Sequence, residues 1–262
     1  MHLSVEGRDV YAYTGARPLA AARPTIVFVH GAANDHSVWA LQSRYFAHHG
    51  FNVLAVDLPG HGRSAGEPLR SIEAIADWLA ALLDASSVAR AALVGHSMGA
   101  LATLEGAARH PGRVTRIALA GIAVPMEVSD DLLDAARRDD HVAYDLINGW
   151  SYSPRRSLGG NAVPGMWMTG NSMRLLERNR PGALATDLAA CRAYANGQAA
   201  AAAVRCPALV ITGRRDLMAP PRNAKPVQAA LADVRSVELA EAGHALMAEE
   251  PDAVLDELRA FL

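Results

Sequence analysis

Short unbroken apolar runs alternate along the chain with longer stretches that carry apolar residues every three or four positions. "PTIVFVHG" (24–31) is a β-branched run closed by glycine and predicts a fully buried strand. "FNVLAVDLPGHG" (51–62), "ARAALVGHS" (89–97), "RVTRIALAG" (113–121), "CPALVITG" (206–213) and "VRSVELAEAGH" (234–244) repeat the plan. Helix-like stretches lie between them, at 37–49, 71–85, 98–110, 221–232 and 251–262. In 71–85, Ile72, Ile75, Trp78, Leu79 and Leu82 form a helical stripe, and Ser71 with Glu73 suits a helix start. Strands without polar alternation are buried on both faces, so the pattern predicts a mostly parallel α/β sheet with helices on both sides. The first fourteen residues alternate more and predict an antiparallel hairpin at one edge.

One segment breaks the rhythm. From 124 to 204 there is no clear buried strand, only charged helical pieces, a Gly/Pro/Asn/Trp-rich loop and an alanine-rich piece. The expectation is a core domain made of 1–123 and 205–262, with a mainly helical cap, 124–204, inserted after the sixth strand. Alanine richness favours helix there.

Composition narrows the function classes. The 262 residues are 51% hydrophobic and 20% charged, with a formal net charge of −2. The basic residues are spread along the chain, which argues against nucleic-acid and membrane-surface partners. No run reaches the ~18 apolar residues of a membrane helix. The start lacks a signal-peptide plan. Cys191 and Cys206 fit neither a disulfide framework nor a metal site. A soluble, reducing, cytoplasmic setting is expected.

The chemistry centres on Gly95-His96-Ser97-Met98-Gly99, a G-x-S-x-G pentapeptide between a predicted strand and a predicted helix. At that junction the chain must turn sharply, leaving the serine strained and its hydroxyl exposed above the sheet. The helix after it starts at Met98, so free N–H groups point at an anion forming near Ser97. A pentapeptide alone is a weak signal; the strand–turn–helix context gives it weight. His96 is expected to turn away from Ser97.

A serine needs a base. Of ten histidines, most fall at the terminus, at helix ends, in turns or in the cap. His244, in "AEAGHALMAEEP" after the last strand, falls on the sheet edge where loops gather. Asp216 follows "LVITGRRD" on the same edge and is the candidate to orient the imidazole. The order Ser, Asp, His fits this architecture. For the oxyanion hole, the Met98 N–H is one donor and Ala32, in "HGAAND" (30–35), is the other, with Ala33 as the alternative.

Together, "FVHGAAND", "DLPGHGRS", "GHSMGA", "GRRD" and "AGHALMAEEP" resemble the α/β-hydrolase superfamily over nearly the whole chain apart from the cap. The resemblance implies an eight-stranded, mostly parallel sheet, a Ser97/Asp216/His244 triad, and a structural turn at "DLPGHGRS". Serine at the elbow speaks against the relatives with an aspartate nucleophile. The elbow and the "HGAAND" loop are similar to the capped branch with carboxylesterases, lactonases, C–C bond hydrolases and perhydrolases. No metal or cofactor is needed for that chemistry.

The expected activity is hydrolysis of a small or medium, largely apolar carboxylic ester through an acyl-enzyme. The same triad also serves C–C bond hydrolases, lactonases, thioesterases, perhydrolases and acyltransferases. A ligand-binding receptor on a hydrolase fold is the reading from another class, and a hydroxynitrile-type lyase would need a cationic partner near the serine. Substrate choice is assigned to the cap and the site mouth. Candidate pocket residues are Ala33, His36, Tyr144, Trp150, Trp167 and Met218, with Tyr152, Met166 and Met168 as further apolar candidates and Arg155 and Arg156 as carboxylate ligands.

Overall fold

The computed structural model describes residues 1–157, 160 and 165–262. Eight strands form one sheet: β1 (His2–Val5), β2 (Arg8–Tyr13), β3 (Thr25–Val29), β4 (Asn52–Val56), β5 (Ala91–His96), β6 (Val114–Ala120), β7 (Ala208–Gly213) and β8 (Val234–Leu239), in the order β1-β2-β4-β3-β5-β6-β7-β8. The β1–β2 hairpin pairs antiparallel with β4, and every pairing from β4 to β8 is parallel.

Strand side chains alternate between faces, so unbroken apolar runs supply two cores at once. Val27, Val29, Leu54, Val56 and Leu93 face a core shared with the helices Ile72–Ala85 and Met98–Arg109. Ile26, Phe28, Val53, Val94 and Ile211 face the other, against the helices Ala40–His48 and Pro251–Phe261. Ser71 caps its helix as expected, its hydroxyl accepting from the Ala74 N–H at 3.1 Å. β8 is an edge strand with Arg235 and Glu238 exposed, which explains its weaker apolar pattern.

Between β6 and β7 the regular elements among the described residues are helices, at Asp130–Arg137, His141–Ser151, Pro154–Ser157, Met168–Glu177, Ala183–Ala193 and Gly197–Ala203, joined by loops. Leu132, Leu133, Ile147, Leu176, Leu184 and Leu188 give this layer its own apolar cluster, which Ala33 of the core also joins. The end of the segment behaves differently. Ala200, Ala201 and Val204 pack in the sheet core, so the last helix before β7 belongs with the core although it falls within the expected 124–204. Among the described residues, no helix is long and apolar enough to cross a membrane.

Candidate active site

Ser97 stands between the end of β5 and the helix Met98–Arg109 with φ 54° and ψ −117°. A non-glycine residue with positive φ needs its surroundings to hold it there. Its N–H donates to the Ala120 carbonyl at the end of β6 at 2.9 Å, and its carbonyl accepts from the Ala100 N–H at 2.9 Å. The flanking glycines are sterically required. A Cβ on Gly95 would stand 2.1 Å from the Gly99 oxygen, and one on Gly99 would stand 2.5 Å from the carbonyl oxygens of Val29 and His30.

His244 and Asp216 meet from the loops after β8 and β7. His244 Nδ1 lies 2.8 Å from Asp216 Oδ2, with both side chains buried. Asp216 Oδ1 accepts the N–H groups of Met218 and Ala219 at 2.8 and 2.7 Å. Burial alone would raise the Asp216 pKa. The charge and hydrogen bond of His244 and the two N–H donors outweigh it, so this carboxyl titrates below the usual range. With Nδ1 donating to a carboxylate, Nε2 is the nitrogen left to accept a proton. Two glycines allow the close approach. A Cβ on Gly121 would stand 3.2 Å from the His244 ring, and one on Gly213 would stand 2.3 Å from the Gly243 oxygen.

His96 does not simply turn away from the site. Its ring lies 4.7 Å from that of His244, and its Nε2 donates to the His244 carbonyl at 2.8 Å. Complete burial, and next the neighbouring His244, hold His96 down at about 3, so it stays neutral. Glu249 was not singled out from the sequence. It is fully buried, accepts the Gly243 N–H at 2.8 Å and the Ser153 N–H at 2.9 Å, and so ties the histidine loop to the segment above it. The N–H groups of His244 and Ala245 both donate to the Ser151 carbonyl at 2.9 Å.

The "HGAAND" loop separates the two oxyanion candidates. The Ala33 N–H is committed to Asp187 Oδ2 at 2.8 Å. Among the described residues, the Ala32 N–H has no acceptor, and Met98, as the first residue of its helix, has none within the helix. Met98 N–H follows Ser97 directly, while Ala32 lines the same cavity as Ser97 and His244.

That cavity has a volume of about 780 Å³ and a mostly apolar wall that includes Met126, Leu132, Ile147, Trp150, Leu188 and Met218. Of the sequence-selected pocket residues, Trp150 and Met218 line it, as do Tyr152, Met166 and Met168. Four others lie elsewhere. Ala33 is fully buried in the loop. His36 turns outward from the cavity to the "DLPGHGRS" turn, where its N–H and Nδ1 meet Asp57 Oδ1 at 2.8 and 2.7 Å. Tyr144 packs at the border of the upper apolar cluster. Trp167 is 73% exposed. Arg155 and Arg156 pair with Glu241 and Glu250 and do not line the cavity.

Asp57 also accepts the Arg63 N–H at 2.9 Å, and Ser64 Oγ donates to the Asp57 carbonyl at 2.6 Å, so this turn is a braced structural corner. Asp35, His36 and Asp57 bring metal-capable atoms within 4.8 Å of one another. Asp35 Oδ1 accepts from Ser37, the two Asp57 oxygens accept from His36 and Arg63, and Arg178 pairs with Asp35 Oδ2 at 3.7 Å.

Comparison with known proteins agrees with this arrangement of elements. The family model described as alpha/beta hydrolase fold matches residues 24–251. The chain is 31% identical over 239 residues to a pimeloyl-[acyl-carrier protein] methyl ester esterase of Chromobacterium violaceum, covering 88% of this chain and 91% of that one. It is 30% identical over 254 residues to the protein of the same name from Aromatoleum aromaticum, covering 90% and 97%. The enol-lactonase from Burkholderia xenovorans LB400 superimposes with a TM-score of 0.90 at 27% identity, covering 100% of this chain and 99% of the other. With the match spanning all but the two ends of the sequence, this chain belongs to the α/β-hydrolase fold family.

Proposed function

We propose that this protein is a serine esterase that cleaves carboxylic esters with a small or medium, largely apolar acyl group. The observation that carries the reading is a cavity shared by a strained Ser97 and a His244 whose Nδ1 is held by the buried Asp216. Relatives named as methyl ester esterases support an ester as the substrate class.

Each step follows from the chemistry of these groups. His244 Nε2 takes the proton of Ser97 Oγ as the oxygen attacks the ester carbonyl carbon. The carbonyl π pair moves to oxygen, and the N–H groups of Ala32 and Met98 stabilise that oxyanion, each worth about 3–4 kcal/mol of barrier. Asp216 stays ionised and stabilises the imidazolium. The tetrahedral intermediate collapses, the C–O bond to the alcohol breaks, and His244 returns the proton to the leaving alkoxide. Water, deprotonated by His244, then attacks the acyl-serine. The acid leaves and Ser97 regains its proton. A lactone is an intramolecular ester and opens by the same steps. Similarity to an enol-lactonase favours including lactones among the candidate substrates.

The test is labelling with a fluorophosphonate probe, with p-nitrophenyl esters from acetate to decanoate and a lactone panel assayed in parallel. Wild type is expected to label and to turn over at least one of the esters or lactones. Ser97→Ala is expected to do neither, with kcat down on the order of 10⁶-fold. An unlabelled wild type would overturn the nucleophile assignment. Labelling with cleavage of only charged esters would overturn the apolar substrate class.

A further inference from the structure

The loop 30–35 is held one peptide plane at a time. A trans peptide is planar, with its C=O and N–H on opposite sides, so fixing one fixes the other. The carbonyl of Gly31 accepts from His30 Nδ1 at 2.8 Å, and the N–H of that same peptide unit is the one Ala32 offers to the cavity. The next unit carries the Ala32 carbonyl, which accepts from Asn34 Nδ2 at 3.2 Å, and the Ala33 N–H, which donates to Asp187 Oδ2 at 2.8 Å. The carbonyl of Ala33 accepts from Asn179 Nδ2. Ala33 itself has φ 51°, a conformation that an alanine keeps only under constraint.

Two of these holds come from the helical segment above the sheet. Asp187 sits in the helix Ala183–Ala193, and Asn179 follows the helix Met168–Glu177. Asp187 is 1% exposed, and a carboxylate in such a place needs a partner. It has one in His61, whose Nε2 lies 2.8 Å from the same Oδ2 that receives the Ala33 N–H. The other ring nitrogen of His61 lies 3.0 Å from the Pro59 carbonyl. Both ring nitrogens therefore face acceptors, the pattern of a protonated imidazole. His61 comes from the "DLPGHGRS" turn, so the buried pair joins that turn, the upper helices and the loop at a single oxygen.

We propose that Asp187, together with Asn179, is a positioning residue of the oxyanion loop: the cap grips the Ala33 peptide on both sides and so keeps the Ala32 N–H uncommitted and fixed in the cavity. This rests on the esterase reading above. By this account the cap does more than select the acyl group, because half of the oxyanion hole is set by it. His61 holds the Asp187 carboxylate in place through the 2.8 Å contact to its Oδ2. It touches no reacting atom.

Asp187→Asn and Asn179→Ala are compared with wild type in thermal melts, in kcat and KM for p-nitrophenyl butyrate, and in the rate of fluorophosphonate labelling. Labelling passes through a charged oxygen on phosphorus, so it reads the oxyanion hole without the hydrolysis step. The expected result for Asp187→Asn is a kcat about 10- to 100-fold lower with KM within about two-fold, and a labelling rate lowered by the same factor. Asn179→Ala is expected to lose about three- to ten-fold in both, in a variant that leaves the buried Asp187–His61 pair intact. Folded variants with wild-type kcat and labelling rate would overturn the proposal, as would a loss confined to KM. Should Asp187→Asn fail to fold, a wild-type labelling rate in Asn179→Ala overturns it alone. A wild type inert to the probe and to every ester sinks the esterase reading itself, which is a separate result.

Discussion

The rings of His96 and His244 lie 4.7 Å apart, tilted by 48°, with His96 Nε2 donating to the His244 carbonyl at 2.8 Å. The residue next to the serine therefore supports the backbone of the histidine loop, across 148 positions of chain. His96→Phe keeps a ring in that space and removes the donor. It leaves a buried carbonyl unsatisfied, at a cost of about 1–3 kcal/mol. The expected result is a lower Tm in thermal denaturation together with reduced kcat. An unchanged Tm with intact turnover would remove His96 from the support of His244.

Acid stability follows from the buried neutral histidines. His96 is held at about 3, first by burial and then by the charge of His244; His30 is held at about 4, first by burial and then by the charge of His61. Both lie below the unfolded value near 6.5. The unfolded chain then binds more protons than the folded one as pH falls below about 6.5, so stability drops toward pH 4. His96 alone costs roughly 2–3 kcal/mol by about pH 4.5. Asp216, held below its unfolded value of about 3.9, adds to the loss only as pH nears 4 and below, where the unfolded carboxyl protonates first. Urea midpoints measured from pH 8 to pH 4 should fall below about 6.5, with a shallower fall in His96→Phe.

Asp216→Asn preserves the shape of the carboxylate but not its charge or its demand for the Nδ1 proton. The imidazole can then take the wrong tautomer, and the imidazolium loses its counter-ion. A kcat loss of about 10⁴-fold with little change in KM is expected. Steady-state kinetics near neutral pH check this, and a loss under ten-fold would mean that another group orients His244.

The elbow glycines are tested by Gly95→Ala and Gly99→Ala. The added methyl of the first meets the Gly99 oxygen at 2.1 Å, and that of the second meets two carbonyl oxygens of the β3 end at 2.5 Å. Neither neighbour is a flexible side chain, so each variant is expected to lose about 1–3 kcal/mol or more. Gly149→Ala, where a Cβ meets nothing within 4 Å, serves as the control with near wild-type melting.

Trp150 forms part of the cavity wall, as do Ile147 and Leu132, and it packs against the apolar cluster that includes both. Trp150→Ala should move the preferred p-nitrophenyl ester toward longer acyl chains, because one methylene in an apolar pocket is worth about 1–3 kcal/mol. A chain-length profile identical to wild type would show that the acyl group lies elsewhere in the cavity.

What the sequence by itself determined was whatever is local or periodic. Unbroken apolar runs identify strands buried on both faces, and the stripe from Ile72 to Leu82 identifies a helix, because burial imposes period and length directly on residue type. The turn at Ser97 was legible because a sharp strand-to-helix junction demands glycines at fixed spacing. The meeting of His244 and Asp216 was legible because parallel strands deliver their following loops to one edge, and the two lie 2.8 Å apart.

Tertiary structure alone decided what depends on packing between distant segments. Asp187 sits in an alanine-rich helix with no local mark. Its meaning comes from His61, 126 positions away, and Ala33, 154 positions away. Glu249 reads as one more acid near the C-terminus until its two oxygens are seen to bridge Gly243 and Ser153. Trp167 and Trp150 carry the same side chain in neighbouring loop and helix, yet one is exposed and the other lines the cavity. Apolar side chains state only that they prefer burial. Which of them face a cavity, a helix or solvent is settled by how the upper helices dock, and that docking has no periodicity to announce it.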